Sequence, residues 1–438
     1  MKDVYMNDKN VYKRVLLVNC HHFFSGHATG ITLRSIWKDW PKDSMMFLTE
    51  KSNANKDIAA EYSRLILPAY VTPIRNFLLS YKRYSDTRLS DNAEHESAGQ
   101  SKGVISRIKK DLYQCIVTAM DTPWAYVPRA LMKKIAEFQP QVIYTLGGRV
   151  SALRLSYILS KKLNIPIVIH YMDNWVEHIQ WEANPLLHPY AKQVRKWAYK
   201  CMERSEKSIA ISPKMAEEYE EKFNVPFAVL MNSVGKEFFE ITSKSSNVND
   251  GKCFVYAGGL HLDRWKSLVE IAQTIQTVSQ SGNDRLIIYT SEANIKKYIQ
   301  NFNGLPVEFR NAVPHDEVPH ILEKADILVH TEVNDENLFG FFKYSISTKI
   351  PEYLASGIPM LFYGPREMSL FQYLSDNKAA YLADNKNNLG KCIYDSLNGT
   401  ERDNIITNAV ALANKNHTLE GAQRSLLMTI SDSIKTKG

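Results

Sequence analysis

The sequence predicts an α/β chain of two doubly wound, Rossmann-like units, and three observations predict it. Its 438 residues exceed what one hydrophobic core supports, and roughly 150 residues per domain gives two or three units. Short apolar runs alternate with amphipathic segments, as they do where helices cover both faces of a parallel sheet. The alternation occurs twice, on either side of the polar stretch Thr242 to Gly251, which reads as an interdomain link.

The first series opens with Arg14-Val-Leu-Leu-Val-Asn19 as a strand, then a loop from Ser25 to Gly30 and a helix from Ile31 to Trp40. Further strands are expected at Met45 to Leu48, Arg64 to Leu67, Gln141 to Thr145, Ile165 to Tyr171, Ser208 to Ile211 and Phe227 to Met231. Those of the second series are Lys252 to Ala257, Arg285 to Tyr289, Val307 to Phe309, Ile327 to His330 and Pro359 to Tyr363. The predicted division is a first unit over 1–235, a second over 236–415 and an amphipathic terminal helix over 416–438. Arg83 to Gln100 breaks the alternation and reads as a mobile surface insertion. Its flanks carry apolar residues at helical spacing, Ile74, Phe77, Leu78 and Tyr81 before it and Ile105, Ile108, Leu112 and Ile116 after it. Packing on the first unit is the favoured reading of both faces, and contact with a membrane surface is the alternative.

Composition narrows the class. With 44% hydrophobic and 23% charged residues, the chain is neither collagen-like nor disordered. No apolar stretch approaches the ~18 residues of a membrane span, and Val15 to Val18 is too short for a signal-peptide core, so a cytoplasmic chain is expected. The five cysteines are widely spaced and suggest buried thiols instead of a disulfide framework or a zinc site. The net charge is +7, and the window from Pro73 to Lys134 holds eleven Lys or Arg against six Asp or Glu. No helix-turn-helix, zinc-finger or aromatic RNA-binding pattern accompanies it, so nucleic acid is not an expected partner, and an anionic membrane surface is the remaining candidate.

The most informative stretch is Ser347-Thr-Lys-Ile-Pro-Glu-Tyr-Leu-Ala-Ser-Gly-Ile-Pro-Met-Leu361, a helix beginning near Ser347, ending at Gly357 and feeding a strand. Ser-Thr-Lys-x-x-Glu-Tyr-Leu-Ala-Ser-Gly-x-Pro resembles the donor-site helix of GT-B glycosyltransferases, especially glycosyltransferase family 4, whose members make bacterial surface polysaccharides. Val255-Tyr-Ala-Gly-Gly-Leu260 with Arg264 and Lys266 is similar to the first strand and basic loop of that family's donor domain. Val307 to Pro314 and His320 to Val329 resemble the elements that follow, and Ile209 to Met215 and Leu230 to Val234 fall where the acceptor domain ends. The blocks run in family order from about Arg14 to Pro365. The resemblance implies two domains facing across a cleft, with the terminal helix crossing back to the first.

Physical chemistry gives these positions matching tasks. The diphosphate of a sugar nucleotide gains charge as the glycosidic bond breaks, so its site needs fixed cations and oriented amides. Arg264 and Lys266 are the leading cations and Lys349 a third. Ser347 and Thr348 open a helix whose free N–H groups suit phosphate, and Glu352 suits the ribose hydroxyls, the role of its family counterpart. Gly26 and Gly30 fit a loop that lets backbone approach phosphate. Asp173 is the candidate catalytic residue, handling the acceptor hydroxyl, while His27 and His170 read as packing residues.

The chain departs from the family in two places. Met172 stands where many members carry His, and Tyr344 stands where the first carboxylate of Glu-x7-Glu is common. Glu332 and Glu336 lie upstream as stand-ins. With no Asp-x-Asp to hold Mg²⁺ or Mn²⁺, neither metal nor cofactor is expected. The expected function is transfer of a sugar from a nucleotide donor to a lipid-linked glycan, with retention of configuration because no base for inversion is evident. The rival readings are a nucleotide-sugar epimerase and a glycosyltransferase-like scaffold without catalysis.

Overall fold

In β1 (Val15–Val18) every side chain is buried, and successive residues serve opposite faces. Leu16 and Val18 join one apolar cluster, Val15 and Leu17 another, which is what a strand covered on both sides requires. The computed structural model describes residues 12–18, 20, 23, 28–49, 61–64, 127, 129–177, 187–241, 251–332, 340 and 343–435. Beside β1 lie β2 (Met45–Thr49), β3 (Glu61–Arg64), β4 (Val142–Leu146), β5 (Ile167–Tyr171), β6 (Ser208–Ala210) and β7 (Phe227–Val229). The second sheet holds β8 (Cys253–Ala257), β9 (Arg285–Thr290), β10 (Val307–Asn311), β11 (Ile327–Thr331), β12 (Met360–Tyr363) and β13 (Tyr381–Ala383).

Helices α1 (Ala28–Ile36), α2 (Arg129–Phe138), α3 (Val150–Leu163), α4 (His188–Met202) and α5 (Pro213–Phe223) accompany the first sheet. The second has α6 (Arg264–Val278), α7 (Glu292–Tyr298), α8 (Val318–Leu322), α9 (Lys349–Ala355), α10 (Ser369–Asp376), α11 (Lys386–Asn398) and α12 (Arg402–Asn416). The last helix, α13 (Leu419–Lys435), returns to the first sheet, where Ala422, Leu426 and Ile430 at four-residue spacing join the cluster of Val15, Leu17 and Trp37. Just before it, Val234 and the segment His417 to Leu419 exchange backbone hydrogen bonds, and Lys207 pairs with Asp432 at 3.1 Å. Among the described residues no helix is long and apolar enough to cross a membrane.

All strand pairs are parallel. The orders are β3-β2-β1-β4-β5-β6-β7 and β10-β9-β8-β11-β12-β13, so winding reverses between β1 and β4 and between β8 and β11. At such a reversal the two neighbouring crossovers go to opposite faces and leave a crevice beyond the strands' carboxyl ends.

The structure moves several predicted boundaries. The third strand is described over Glu61–Arg64, so it starts three residues before the expected Arg64, because a polar strand at a sheet edge can be held by its ladder alone, and residues 65–67 lie outside the described residues. The edge strand β13 is three residues long, too short to announce itself in sequence. The first helix starts at Ala28, which puts Gly30 in its first turn instead of in a loop, and α9 starts at Lys349. Gly26, His27, Glu336, the insertion from Arg83 to Gln100 and the basic window from Pro73 as far as residue 126 lie outside the described residues.

Candidate functional site

The loops after β8 and β11 bring together the two groups that define the second sheet's side of the cleft. Arg264 opens α6 directly after β8, and Glu332 follows β11. The guanidinium donates through Nε and Nη2 to both carboxylate oxygens of Glu332, each at 2.8 Å. Side-chain exposures of 14% and 7% make this a buried, bidentate pair. Burial would push the Glu332 carboxyl up, yet His330 and Arg264 outweigh it and hold the group at about 2.

The turn that delivers Arg264 is strained. Leu262 and Asp263 both have φ of 58°, in the left-handed region that non-glycine residues avoid. Tyr256 Oη donates to the Gly259 carbonyl at 2.8 Å, and the Lys266 N–H donates to the Asp263 carbonyl at 2.9 Å, which pins both sides of the turn.

Lys349 supplies a second, enclosed cation at the start of α9. Its Nζ stands 4.7 Å from the centroid of the Tyr256 ring and beside Gly258, where a Cβ would fall on the amine. Burial first, and then Arg264, pull its pKa down to about 8, against the opposing pull of Glu332 and Glu352. Glu352 lies in the first turn of α9 with Oε1 at 3.0 Å from His315 Nε2.

The first sheet contributes the opposite wall. Asp173 follows β5, and its Oδ1 accepts from Ser345 Oγ at 3.1 Å. Burial raises its pKa to about 6, with the Ser345 bond opposing. Asp173 and Glu332 therefore face one cavity of about 210 Å³ with different proton affinities, the first raised to about 6 by burial and the second held at about 2 by His330 and Arg264. Thr32 and Asn232 line the same space, joined at 2.9 Å, and Asn232 Nδ2 donates at 2.7 Å to the Ile346 carbonyl. Ser347 and Thr348 line it from the second side. Ser347 Oγ also accepts from the Lys349 N–H at 3.4 Å.

Neither a protein-family profile nor a curated protein matches the chain in sequence. Solved structures do match it in shape. The Anabaena protein HepE in complex with UDP and glucose gives a TM-score of 0.56 at 13% identity, covering 95% of this chain and 98% of its own. An α,α-trehalose 6-phosphate synthase from Burkholderia multivorans gives 0.60 at 10%, over 98% and 100%. The lipopolysaccharide outer core galactosyltransferase WaaB gives 0.54 at 12%, over 95% and 98%. The chain has the GT-B fold.

Within this GT-B cleft the expected residues are sorted by position. Arg264, Asp173, Ser347 and Thr348 line the cavity, and Lys349 and Glu352 sit on α9 immediately behind the last two. Gly30 is on α1 between helix neighbours Thr29 and Ile31, so it forms no phosphate-cradling loop. Tyr344 does not mark a missing carboxylate in the cleft. It is buried against the first sheet's helices, with its ring 6.3 Å from that of Tyr219 and its hydroxyl donating to Glu218. The carboxylate opposite Arg264 is Glu332, whose signal in sequence is its place at the carboxyl end of a buried strand. His170 is buried with Nδ1 at 2.7 Å from Tyr144 Oη, and burial lowers its pKa to about 3. Among the described residues no group of three or more His, Cys, Asp or Glu is placed to hold a metal ion.

Lys266 is placed away from the cavity. Its side chain is 56% exposed and pairs with Asp263 at 2.7 Å, bracing the strained turn from outside. An exposed pair contributes little, so Lys266→Ala is expected to leave the unfolding free energy within about 1 kcal/mol of the parent and, if the chain transfers sugar as proposed below, the kinetics within about twofold. Steady-state kinetics check this, and a tenfold loss would return Lys266 to the phosphate site.

Proposed function

We propose that the chain transfers a sugar from a nucleoside diphosphate donor to a glycan acceptor. The observation that carries this reading is one cavity lined by Arg264, Ser347 and Thr348 from the second sheet's side and by Asp173 from the first, with Lys349 on the helix directly behind Ser347 and Thr348 and with Arg264 and Glu332 at the second sheet's reversal point. Arg264 and Lys349 would stabilise the departing diphosphate, Glu352 would accept from the ribose hydroxyls, and Asp173 would orient the acceptor hydroxyl. Retention is the favoured course. The diphosphate can remain on the attacked face and take the acceptor proton as the oxocarbenium-like sugar collapses onto the new oxygen. The missing Asp-x-Asp supports transfer without a divalent ion. The excess of Lys and Arg from Pro73 to Lys134 supports a lipid-linked acceptor at an anionic bilayer.

UDP-glucose is the first probe, since HepE has been solved with it. A panel of UDP, GDP, dTDP and CMP sugars should contain one that raises the melting temperature, because a ligand at ~100 times its dissociation constant stabilises by roughly 2.7 kcal/mol. Transfer with that donor should survive EDTA, require anionic vesicles carrying the acceptor lipid, and give a product whose anomeric coupling constant matches the donor's. Silence across the panel would remove the donor site. An inverted product would remove the retaining course, and interconversion of free sugar nucleotide without acceptor would make the chain an epimerase.

A further inference from the structure

Glu352 is held by a residue that lies between the sequence blocks resembling the family. His315 begins a single 3-10 turn, His315 to Glu317, after β10, and its Nε2 meets Glu352 Oε1 at 3.0 Å. The Phe238 ring, 5.8 Å away centroid to centroid, flanks the imidazole, whose side chain is 55% exposed while that of Glu352 is 11% exposed. A half-open imidazole thus fixes one oxygen of a nearly buried carboxylate. A carboxylate has acceptor capacity for about four hydrogen bonds, so Oε2 keeps capacity for a diol while Oε1 is occupied.

We propose that His315 is a positioning residue for the nucleoside end of the donor site, orienting Glu352 and adding a titratable positive charge there. The inference rests on the donor-site reading and deepens it. The charged groups facing His315 are Glu352 from α9, Glu237 from the turn Lys236 to Phe238 and Asp316 from its own turn. The Glu352 hydrogen bond raises the pKa of His315 above the ordinary value, burial opposes, and the three carboxylates add to the rise. Below that midpoint the imidazolium offsets the Glu352 charge and favours an anionic ligand. As pH rises through it, the offset is lost and the site favours that ligand less. By linkage, a bound diphosphate raises the midpoint of His315 further.

The experiment uses the full chain with UDP as probe, and GDP if UDP does not bind. Calorimetry at about pH 6 and about pH 7.5 should show affinity falling by roughly fivefold in the parent, the low end of typical coupling. His315→Gln keeps a hydrogen-bond donor for Glu352 and removes the charge, so its affinity should be the flatter of the two over the same interval. Any residual slope from Lys349 or Asp173 is common to both proteins. The C2–H resonance of His315 should titrate above the ordinary histidine midpoint without ligand, fall in Glu352→Gln, and rise on adding UDP. Equal pH dependence in the parent and His315→Gln would overturn the proposal and leave the donor site standing. Failure of the parent to bind either diphosphate at both pH values would overturn the donor site, and this proposal with it.

Discussion

Lys349→Met should lower the rate of sugar transfer by about two to three orders of magnitude while the chain stays folded. Removing one preorganised group aimed at developing charge costs about that much in enzymes whose leaving group is stabilised this way. The reason for choosing Lys349 over the other cations is its environment. Glu332 takes both the Nε and Nη2 of Arg264, Asp263 takes the Lys266 amine, and Lys349 faces an aromatic ring. An amine with its pKa pulled to about 8 also gives the rate an alkaline limb, with transfer falling as pH rises through about 8. Single-turnover rates across pH in the parent and in Lys349→Met check both statements. A folded variant with the parent's rate would take Lys349 out of the mechanism.

Glu332→Gln should destabilise the fold by about 3 kcal/mol, because it leaves the charge of a buried guanidinium without the carboxylate that faces it. The pH dependence follows from the direction of the shift. The carboxyl is lower in the folded chain, at about 2, than its ordinary 4.5, so the stabilisation is fully present above about 4.5 and is lost as pH falls toward about 2. Urea midpoints of parent and variant should therefore differ most near neutrality and converge in acid. Replacing both partners, with Arg264→Met added to Glu332→Gln, should recover part of the loss, since a pair removed together leaves no lone charge. Equal midpoints at neutral pH would mean that the pair contributes nothing to folding.

The sheets were legible because a strand buried on both faces must be written as a near-continuous apolar run, as Val142 to Leu146 and Ile167 to Tyr171 are. Where an edge relaxes that demand the text fades, which is why the start of β3 at Glu61 and the strand Tyr381 to Ala383 were missed. Asp173 and Arg264, both expected from sequence, line the cavity, and each lies at a strand end or helix start, while Glu352 lies on α9 behind it. The ranking of cations was not legible. Lys266 and Lys349 look alike as letters, and what separates them is a strained turn that faces one outward to Asp263 and a tyrosine ring that receives the other. Glu332 was readable only as a stand-in for a missing carboxylate, and its pairing with Arg264 was not, since only the pairing of β11 with β8 puts the two side by side. Spacing along the chain pointed to Tyr344, which folds onto the other sheet.

Gly340, Lys343, Ser345 and Ile346 belong to the second half by sequence, yet the first half seats them. Asn174 Nδ2 donates to the Gly340 carbonyl at 3.2 Å, Lys343 Nζ lies 3.2 Å from Glu218, Ser345 reaches Asp173, and Asn232 holds the Ile346 carbonyl. Three residues after Ile346 the same backbone becomes α9 with Lys349 at its start. The halves are consequently not interchangeable cartridges. A chimera that kept residues after β8 and borrowed an unrelated first sheet would inherit Lys349 and Glu352 as letters but lose the anchorage that aims them. Exchange of the second half intact has to carry Asp173, Asn174, Glu218 and Asn232 along with it.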